Sequence, residues 1–269
     1  MSGLARGADG AIRYEISGKG ITIGEGLPGI LVSATGKRPS EILDAAASLA
    51  RDPDVDGIEL RLDGLDTGRN SDEILALCNL VNSAWETAGG KLLIVTVRTK
   101  AEGGEASYSE PEYLRLLGSL VRFARMDLID IESSHDPKVV SELVRAAHGA
   151  SVGVIMSRHN FSETPPVPDM LGILRREKSL GGDIEKLAVM PRKAEDVAAL
   201  LLATARAKEE GLGPLITMSM GSLGSVSRIS GGTFGSSLTF AMAGKASAPG
   251  QMAVKDVKTA LGLLALKQC

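Results

Sequence analysis

An eight-stranded (β/α)8 barrel is the architecture this sequence predicts, and two periodicities and one missing motif predict it. Eight short runs rich in Val, Ile, Leu and Met recur about thirty residues apart, the length of one strand–helix unit. Between them, apolar residues at three- and four-residue intervals mark amphipathic helices. No G-x-G-x-x-G follows the first run. That argues against the main rival, an open doubly wound sheet, which also usually needs fewer strands.

The elements follow in order. Residues 12–16 and 21–24 flank Ser17-Gly18-Lys19-Gly20, the pattern of a β-hairpin placed to cap the bottom of the barrel. Barrel strands are predicted at 29–33, 57–62, 92–97, 128–132, 152–157, 187–190, 215–220 and 238–242. Helices are predicted at 39–51, 71–88, 110–125, 137–147, 168–180, 193–209 and 252–266. Ser71-Asp72-Glu73, Ser109-Glu110-Pro111 and Asp136-Pro137 supply start signals, with capping oxygens, early acidic residues and first-turn prolines. The glycine-bearing stretches 221–225 and 231–235 read as tight turns around a short helix carrying Arg228. A phosphate cradle there is the weaker reading, because neither has the Walker lysine spacing. No linker-like or low-complexity segment divides the chain, so residues 1–269 are expected to form a single barrel domain.

Composition narrows the function classes. With 43% hydrophobic and 23% charged residues the chain can bury a core, and its net charge of -3 argues against a nucleic-acid binder. Aromatics at 3% leave little for base stacking or membrane-interface belts. The longest apolar helical stretch, 197–205, is too short to span a bilayer, and the opening MSGLARGADG lacks a signal-peptide core. A soluble, cytoplasmic protein is expected. Two cysteines, Cys78 and Cys269, make no disulfide framework, and three histidines without paired spacing make no metal site.

The chemistry lies in charges placed where barrel strands should be dry. Inward barrel positions normally carry branched apolar side chains. Here Glu59 and Arg61 stand two apart in GIELRLDG, and Asp130 and Glu132 do the same in DLIDIE, so each pair shares one strand face. Arg98 ends LLIVTVR and leads to Glu102; His159 follows VGVIMSR; Lys186 heads KLAVMP with Ala188 and Met190 on its face. Charge pairing for stability alone is the plainer reading of any single pair, yet buried ion pairs are weak stabilisers. Polar residues recurring on five consecutive strand ends, the face where barrel enzymes keep their sites, point instead to a polar pocket. His148 reads as a helix C-terminal residue and His135 as loop or cap. Residues 247–251 follow the last strand as a flap with two hydrogen-bonding side chains.

GIELRLD, TVRTKAEGG, DLIDIE, MSRHNFSETP, EKLAVMP, MSMG…GSVSRISG…FGS and SAPGQ, in this order, resemble the type I 3-dehydroquinate dehydratase family of the shikimate pathway. The resemblance runs from about Gly29 to Gln251. It implies a commonly dimeric barrel acting on 3-dehydroquinate without metal or organic cofactor. It implies Lys186 as the imine-forming amine, His159 as general acid/base, and Glu102 and Asp130 as residues that orient and tune the histidine. Glu59, Arg61 and Arg98 match residues that bind substrate hydroxyls, Arg228 the one that takes its carboxylate, and Ser247 and Gln251 the closing loop. Ser33 is expected to line the pocket. Burial and neighbouring cations such as Arg228 are expected to favour the neutral lysine. Two positions depart from the pattern. Leu60 replaces a frequent Trp, with an outward packing effect expected, and Asn160 replaces a frequent Asp, removing a negative charge next to His159. Service in aromatic biosynthesis or in quinate breakdown stays open. A class I aldolase would need a phosphate cradle near the last two strands, and an inactive dehydroquinate sensor would be expected to lack Lys186 or His159, both present here.

Overall fold

The computed structural model describes residues 3–6, 12–16, 19–244 and 246–265. Ser17 and Gly18 of the predicted hairpin turn, Leu266 at the end of the last helix and Cys269 lie outside the described residues. Strands β1 (Gly3–Arg6), β2 (Ile12–Ile16) and β3 (Ile21–Ile23) form a small antiparallel sheet. After it come β4 (Gly29–Ala34), α1 (Pro39–Ala50), β5 (Gly57–Arg61), α2 (Ser71–Thr87), β6 (Leu92–Thr96) and α3 (Glu110–Phe123). The alternation continues through β7 (Leu128–Glu132), α4 (Pro137–Gly149), β8 (Gly153–Asn160), α5 (Val167–Ser179), β9 (Ile184–Val189) and α6 (Ala194–Glu209). It ends with β10 (Leu215–Ser219), α7 (Gly221–Gly224), α8 (Val226–Phe234), β11 (Leu238–Ala241) and α9 (Val254–Leu264).

Eight parallel strands run in the order β10-β9-β8-β7-β6-β5-β4-β11. The two ends of this sheet meet where the Ser237 N–H donates to the Leu215 carbonyl at 2.7 Å, beside a parallel bridge from Leu215 to Ser236. The sheet is therefore a (β/α)8 barrel. Expected helix starts are realised locally. Asn70 accepts the Glu73 N–H, Ser109 and Glu112 form a capping box, and Asp136 accepts the Lys138 N–H ahead of Pro137. Residues 221–235 are the two short helices α7 and α8, with Arg228 on the second.

Strand alternation stacks the interior in layers, each drawn from every other strand. Leu128, Ile184 and Leu238 lie lowest, at the level of Gly57, where a Cβ would come within 2.6 Å of Leu31. Leu31, Ile94, Ile155 and Ile216 lie above them. Two residues further along the first set of strands come Glu59, Asp130, Lys186 and Phe240, so the third layer is mostly charged. Outward-facing residues such as Leu60, Ile131 and Val154 pack under the helices. Leu60 is fully buried there, as expected of an outward packing position.

Tyr14, Ile16 and Ile23 seal the lowest layer, and Lys19 Nζ bonds Asp127 Oδ2 at 2.6 Å just before β7. The predicted bottom cap is thus present, with one strand more than the hairpin expected. The four residues GLAR of β1 are too few to show alternation in sequence. Two strand boundaries also differ from expectation. β8 runs on through His159 and Asn160, which pair with Ala188 and Val189, so His159 lies within the strand and not after it. β9 begins at Ile184, because Ile184 and Glu185 pair with Ile155 and Met156; Lys186 is its third residue.

Glu185 points outward from the same strand into the layer beneath α5. Neither of its carboxyl oxygens has a hydrogen-bond partner, and Lys178 Nζ stands 3.4 Å away. Burial pushes Glu185 up to about 7 and Glu177, beside it on α5, well above the usual carboxylate range. An unfolded chain ionises Glu185 near 4.5. The folded protein therefore binds more protons between that value and about 7, and stability falls as pH rises through this window. Glu185→Gln should flatten that fall and stabilise the protein at about pH 8 by up to about 3 kcal/mol. Urea unfolding at about pH 5 and pH 8 measures it; an unchanged pH dependence would contradict the assignment.

Candidate active site

The charged layer opens upward into a cavity of about 640 Å³, its solvent-filled mouth included. Lys186 Nζ, at the cavity floor, lies 2.9 Å from Asp130 Oδ2, 3.7 Å from Glu59 Oε1 and 4.8 Å from the centre of the Phe240 ring. Its nearest charged neighbours are thus carboxylates. The cations expected beside it, such as Arg228, are not among these nearest neighbours. Asp130 is itself gripped by Arg98 at 2.8 Å and by the Ser157 hydroxyl at 2.6 Å, and the charges of Arg98 and Lys186 hold its carboxyl well below the usual range despite burial.

His159 reaches the cavity from β8. Glu102 Oε2 takes its backbone N–H at 2.9 Å and stands 3.0 Å from its Nδ1, while the Ser134 hydroxyl donates to the other carboxyl oxygen at 2.6 Å. One carboxylate thus fixes both the main chain and the ring, leaving Nε2 as the second ring nitrogen. Burial, and then the charges of Arg98 and Lys186, depress the His159 pKa well below the ordinary histidine value. That direction favours the neutral ring. Burial, and then Glu132, push Glu102 up to about 7. Asp130 was expected to orient and tune this histidine. Among the described residues no hydrogen bond or ion pair joins the two, and Asp130 acts on His159 only as a nearby negative charge.

Glu59 accepts from Ser33 at 2.5 Å and from Thr96 at 2.9 Å, and Arg61 is held in a two-pronged pair by Asp63. Arg98 lies among Asp130, Glu132 and Glu102. Arg228 differs from these. It is 2% exposed, and no carboxylate among the described residues pairs with it. Its guanidinium donates to the Pro249 carbonyl at 3.1 Å and weakly to Phe240 O and Met218 Sδ, and Nε has no partner. Burial alone pulls its pKa down to about 10. A desolvated, incompletely paired guanidinium on a cavity wall is built to receive an anion.

The flap lies down over the site. Ser247 Oγ bonds Ser33 Oγ at 3.0 Å, and Gln251 Oε1 accepts the Ser247 N–H at 2.7 Å. Gly250, at φ +77°, makes this approach possible, since a Cβ there would fall 2.0 Å from the Gly221 carbonyl. Ten of the eleven anticipated residues line the cavity: Ser33, Glu59, Arg61, Arg98, Glu102, His159, Lys186, Arg228, Ser247 and Gln251. Asp130 sits just behind Lys186. Sequence reasoning missed the apolar wall of Phe161, Met218, Met220 and Phe240. Strand alternation carried the signal for Met218 and Met220, two apart in LITMSM, but nothing separates such residues from ordinary core. Asn160 turns away from the histidine: its Oδ1 accepts from the Ser162 N–H and hydroxyl and the Glu163 N–H. The predicted loss of charge beside the ring is therefore a change in a turn. Among the described residues no three His, Cys, Asp or Glu side chains gather to hold a metal ion.

A parallel (β/α)8 barrel with acid, base, amine and guanidinium converging at the C-terminal ends of its strands is a barrel enzyme. This chain belongs to the type I 3-dehydroquinase family, whose model matches residues 30–268. It is 41% identical over 247 residues to a 3-dehydroquinate dehydratase of Klebsiella pneumoniae, covering 91% of this chain and 97% of that one. It is 37% identical to the catabolic 3-dehydroquinate dehydratase of Acinetobacter baylyi, covering 89% and 87%. Among solved structures, a type I 3-dehydroquinate dehydratase from Clostridium difficile with covalent modified comenic acid superposes with a TM-score of 0.87, at 36% identity over 94% of this chain and 97% of that one. The enzyme from Geobacillus kaustophilus gives 0.88 at 34% identity, covering 96% and 98%.

Arg228→Ala should weaken binding of carboxylate ligands roughly 10- to 100-fold, the worth of a charge-assisted hydrogen-bonded pair. Analogues lacking the carboxylate should lose much less. Calorimetric titration of both ligand types separates the two, and equal losses would assign Arg228 a structural role.

Proposed function

We propose that this protein is a 3-dehydroquinate dehydratase, a hydro-lyase of the shikimate pathway, that works through an imine on Lys186 with His159 as acid and base. The observation that carries this reading is the coexistence, in one cavity, of a buried lysine, a histidine held by a carboxylate, and a buried guanidinium with no carboxylate partner among the described residues. In this reading Arg228 takes the substrate carboxylate, and Glu59, Arg61 and Arg98 take its hydroxyls. Ser33, Ser247 and Gln251 close over it. The Clostridium difficile relative, solved with covalent modified comenic acid, supports covalent chemistry of this kind.

The step at Lys186 balances as ammonium plus ketone giving iminium plus water. The positive charge stays on Nζ, so Asp130 remains paired before and after, and no charge has to leave the buried layer. Two of the three ammonium protons depart with the carbonyl oxygen as water. The iminium then makes the adjacent C2–H acidic by accepting its electron pair. His159 removes that proton, and the enamine pair returns to expel the C1 hydroxyl, which leaves as water with the proton from His159. Hydrolysis of the conjugated imine releases 3-dehydroshikimate and restores the lysine. Glu102 holds the ring for both transfers.

The reading takes the whole chain as one catalytic unit acting in the cytoplasm as a homodimer. A small-molecule substrate and metabolic relatives support the location. Exposed Leu202, Leu223 and Val226, on the adjoining α6, α7 and α8, support a subunit contact. Sedimentation equilibrium at a mass of one chain would overturn the dimer.

Incubation with 3-dehydroquinate should produce the enone absorbance of the product, undiminished by exhaustive chelation. His159→Ala should lower kcat by about 10²- to 10⁴-fold and change KM far less, because proton transfer matters mainly in the transition state. His135→Ala and His148→Ala should stay active. No enone signal, metal-dependent turnover, or a His148→Ala defect equal to that of His159→Ala would contradict the proposal.

A further inference from the structure

Glu132 lies outside the cavity lining and is 1% exposed, yet it holds the segment that carries three cavity residues, Arg98, Glu102 and Gly103. Its Oε1 accepts from Arg98 Nη1 at 2.9 Å and from the Thr99 N–H at 2.8 Å, and its Oε2 accepts from the Thr99 hydroxyl at 2.6 Å. The Thr99 carbonyl in turn accepts the N–H groups of Glu102 at 3.0 Å and Gly104 at 2.8 Å. The short turn that presents Glu102 to His159 therefore hangs from Thr99, and Thr99 hangs from Glu132. Gly104 completes the fit, since a Cβ there would lie 2.0 Å from the Arg98 carbonyl.

The same carboxylate is a fixed charge beside the acid/base pair. Glu102 is faced by Arg98 from the end of β6 at 3.6 Å, by Arg158 at 3.5 Å and His159 at 3.0 Å from β8, by Glu132 from β7 and by Glu177 from α5. Glu132 is faced by Arg98, by Glu102 and by His135 Nε2 at 3.5 Å, whose ring stacks on Tyr113 and bonds Glu110 through Nδ1. The Tyr113 hydroxyl accepts the Glu132 N–H at 3.2 Å.

We infer that Glu132 is a positioning residue for the reaction, aiming Glu102 at His159 through Thr99 and setting, through its own charge, the pH above which that pair works. The inference rests on the acid/base reading of His159. When Glu102 is ionised it can accept the Nδ1 proton and leave Nε2 free as the base. A second negative charge nearby makes that ionisation harder, in the direction found for Glu102. Removing the Glu132 charge lowers the proton affinity of Glu102 and moves the working range to lower pH.

The test is the pH profile of kcat/KM for the wild-type protein, Glu132→Gln and Thr99→Val. Glu132→Gln should shift the acid limb down by about one unit and lower the plateau kcat about tenfold, with KM changed less. Thr99→Val keeps the charge and loses one hydrogen bond, so its kcat should fall with the limb in place. A Glu132→Gln protein whose activity drops equally at every pH would overturn the inference. If that variant does not fold, carbon-13 NMR of glutamate-labelled wild-type protein decides. A buried carboxyl titrating between about pH 6 and 8, with a coupled response at a second glutamate, supports it; Glu102 titrating in the ordinary range overturns it. Wild-type protein with no turnover of 3-dehydroquinate would instead sink the function reading itself.

Discussion

A lysine ammonium and an aspartate 2.9 Å apart, sealed in the third layer of a barrel, constrain everything built around them. Burying two charges is costly unless their remaining hydrogen-bonding capacity is met. Asp130 accepts the Ser157 hydroxyl and pairs in charge with Arg98, and Arg98 is in turn balanced by Glu132. The result is a run of alternating charge from β9 through β7 to the end of β6. Its packing needs β7, β8 and β9 in fixed register, which the parallel ladder supplies through Ser157 opposite both Glu132 and Lys186. Removing one member leaves another charge buried and unpaired, so these strands tolerate little change.

The same constraint shapes the chemistry. A lysine held beside a carboxylate is a poor free nucleophile, but an imine keeps the charge that the carboxylate already stabilises. In the proposed mechanism Asp130 is thereby complementary to ammonium and iminium alike, and the site is organised before substrate arrives. Arg228 is the counterpart on the opposite wall. It is kept buried without a carboxylate partner among the described residues, an arrangement that costs stability and that the proposed function turns to binding an anion. Glu185 and Glu177, behind β9, show the limit of such tolerance, as buried carboxyls that remain protonated towards neutral pH.

Much of this was legible in the sequence because strand alternation is strict. Glu59 and Arg61, and Asp130 and Glu132, announced inward charges by spacing alone, and the thirty-residue rhythm announced the barrel. What was not legible came from contacts across the barrel. That Asp130 meets Lys186 and not His159 depends on strands two apart in the sheet, a distance no local pattern records. Glu185 and Lys186 interrupted the apolar run that marks a strand, so β9 was expected to start three residues late. β8 was expected to end before His159, because its last three residues are polar; backbone pairing with β9 and the Glu102 carboxylate carry it onward. Phe240 and Met218 looked like core from sequence, and they are core on one side and cavity wall on the other.

In the proposed mechanism Lys186, and no other lysine, changes from ion-pair partner to covalent carrier of the substrate. Borohydride reduction of the protein incubated with 3-dehydroquinate, followed by peptide mapping, is the decisive measurement. Irreversible attachment of one ligand per chain on the peptide containing Lys186, and none in Lys186→Ala, is the expected result. Attachment at a different lysine, or sustained turnover by Lys186→Ala, would contradict it.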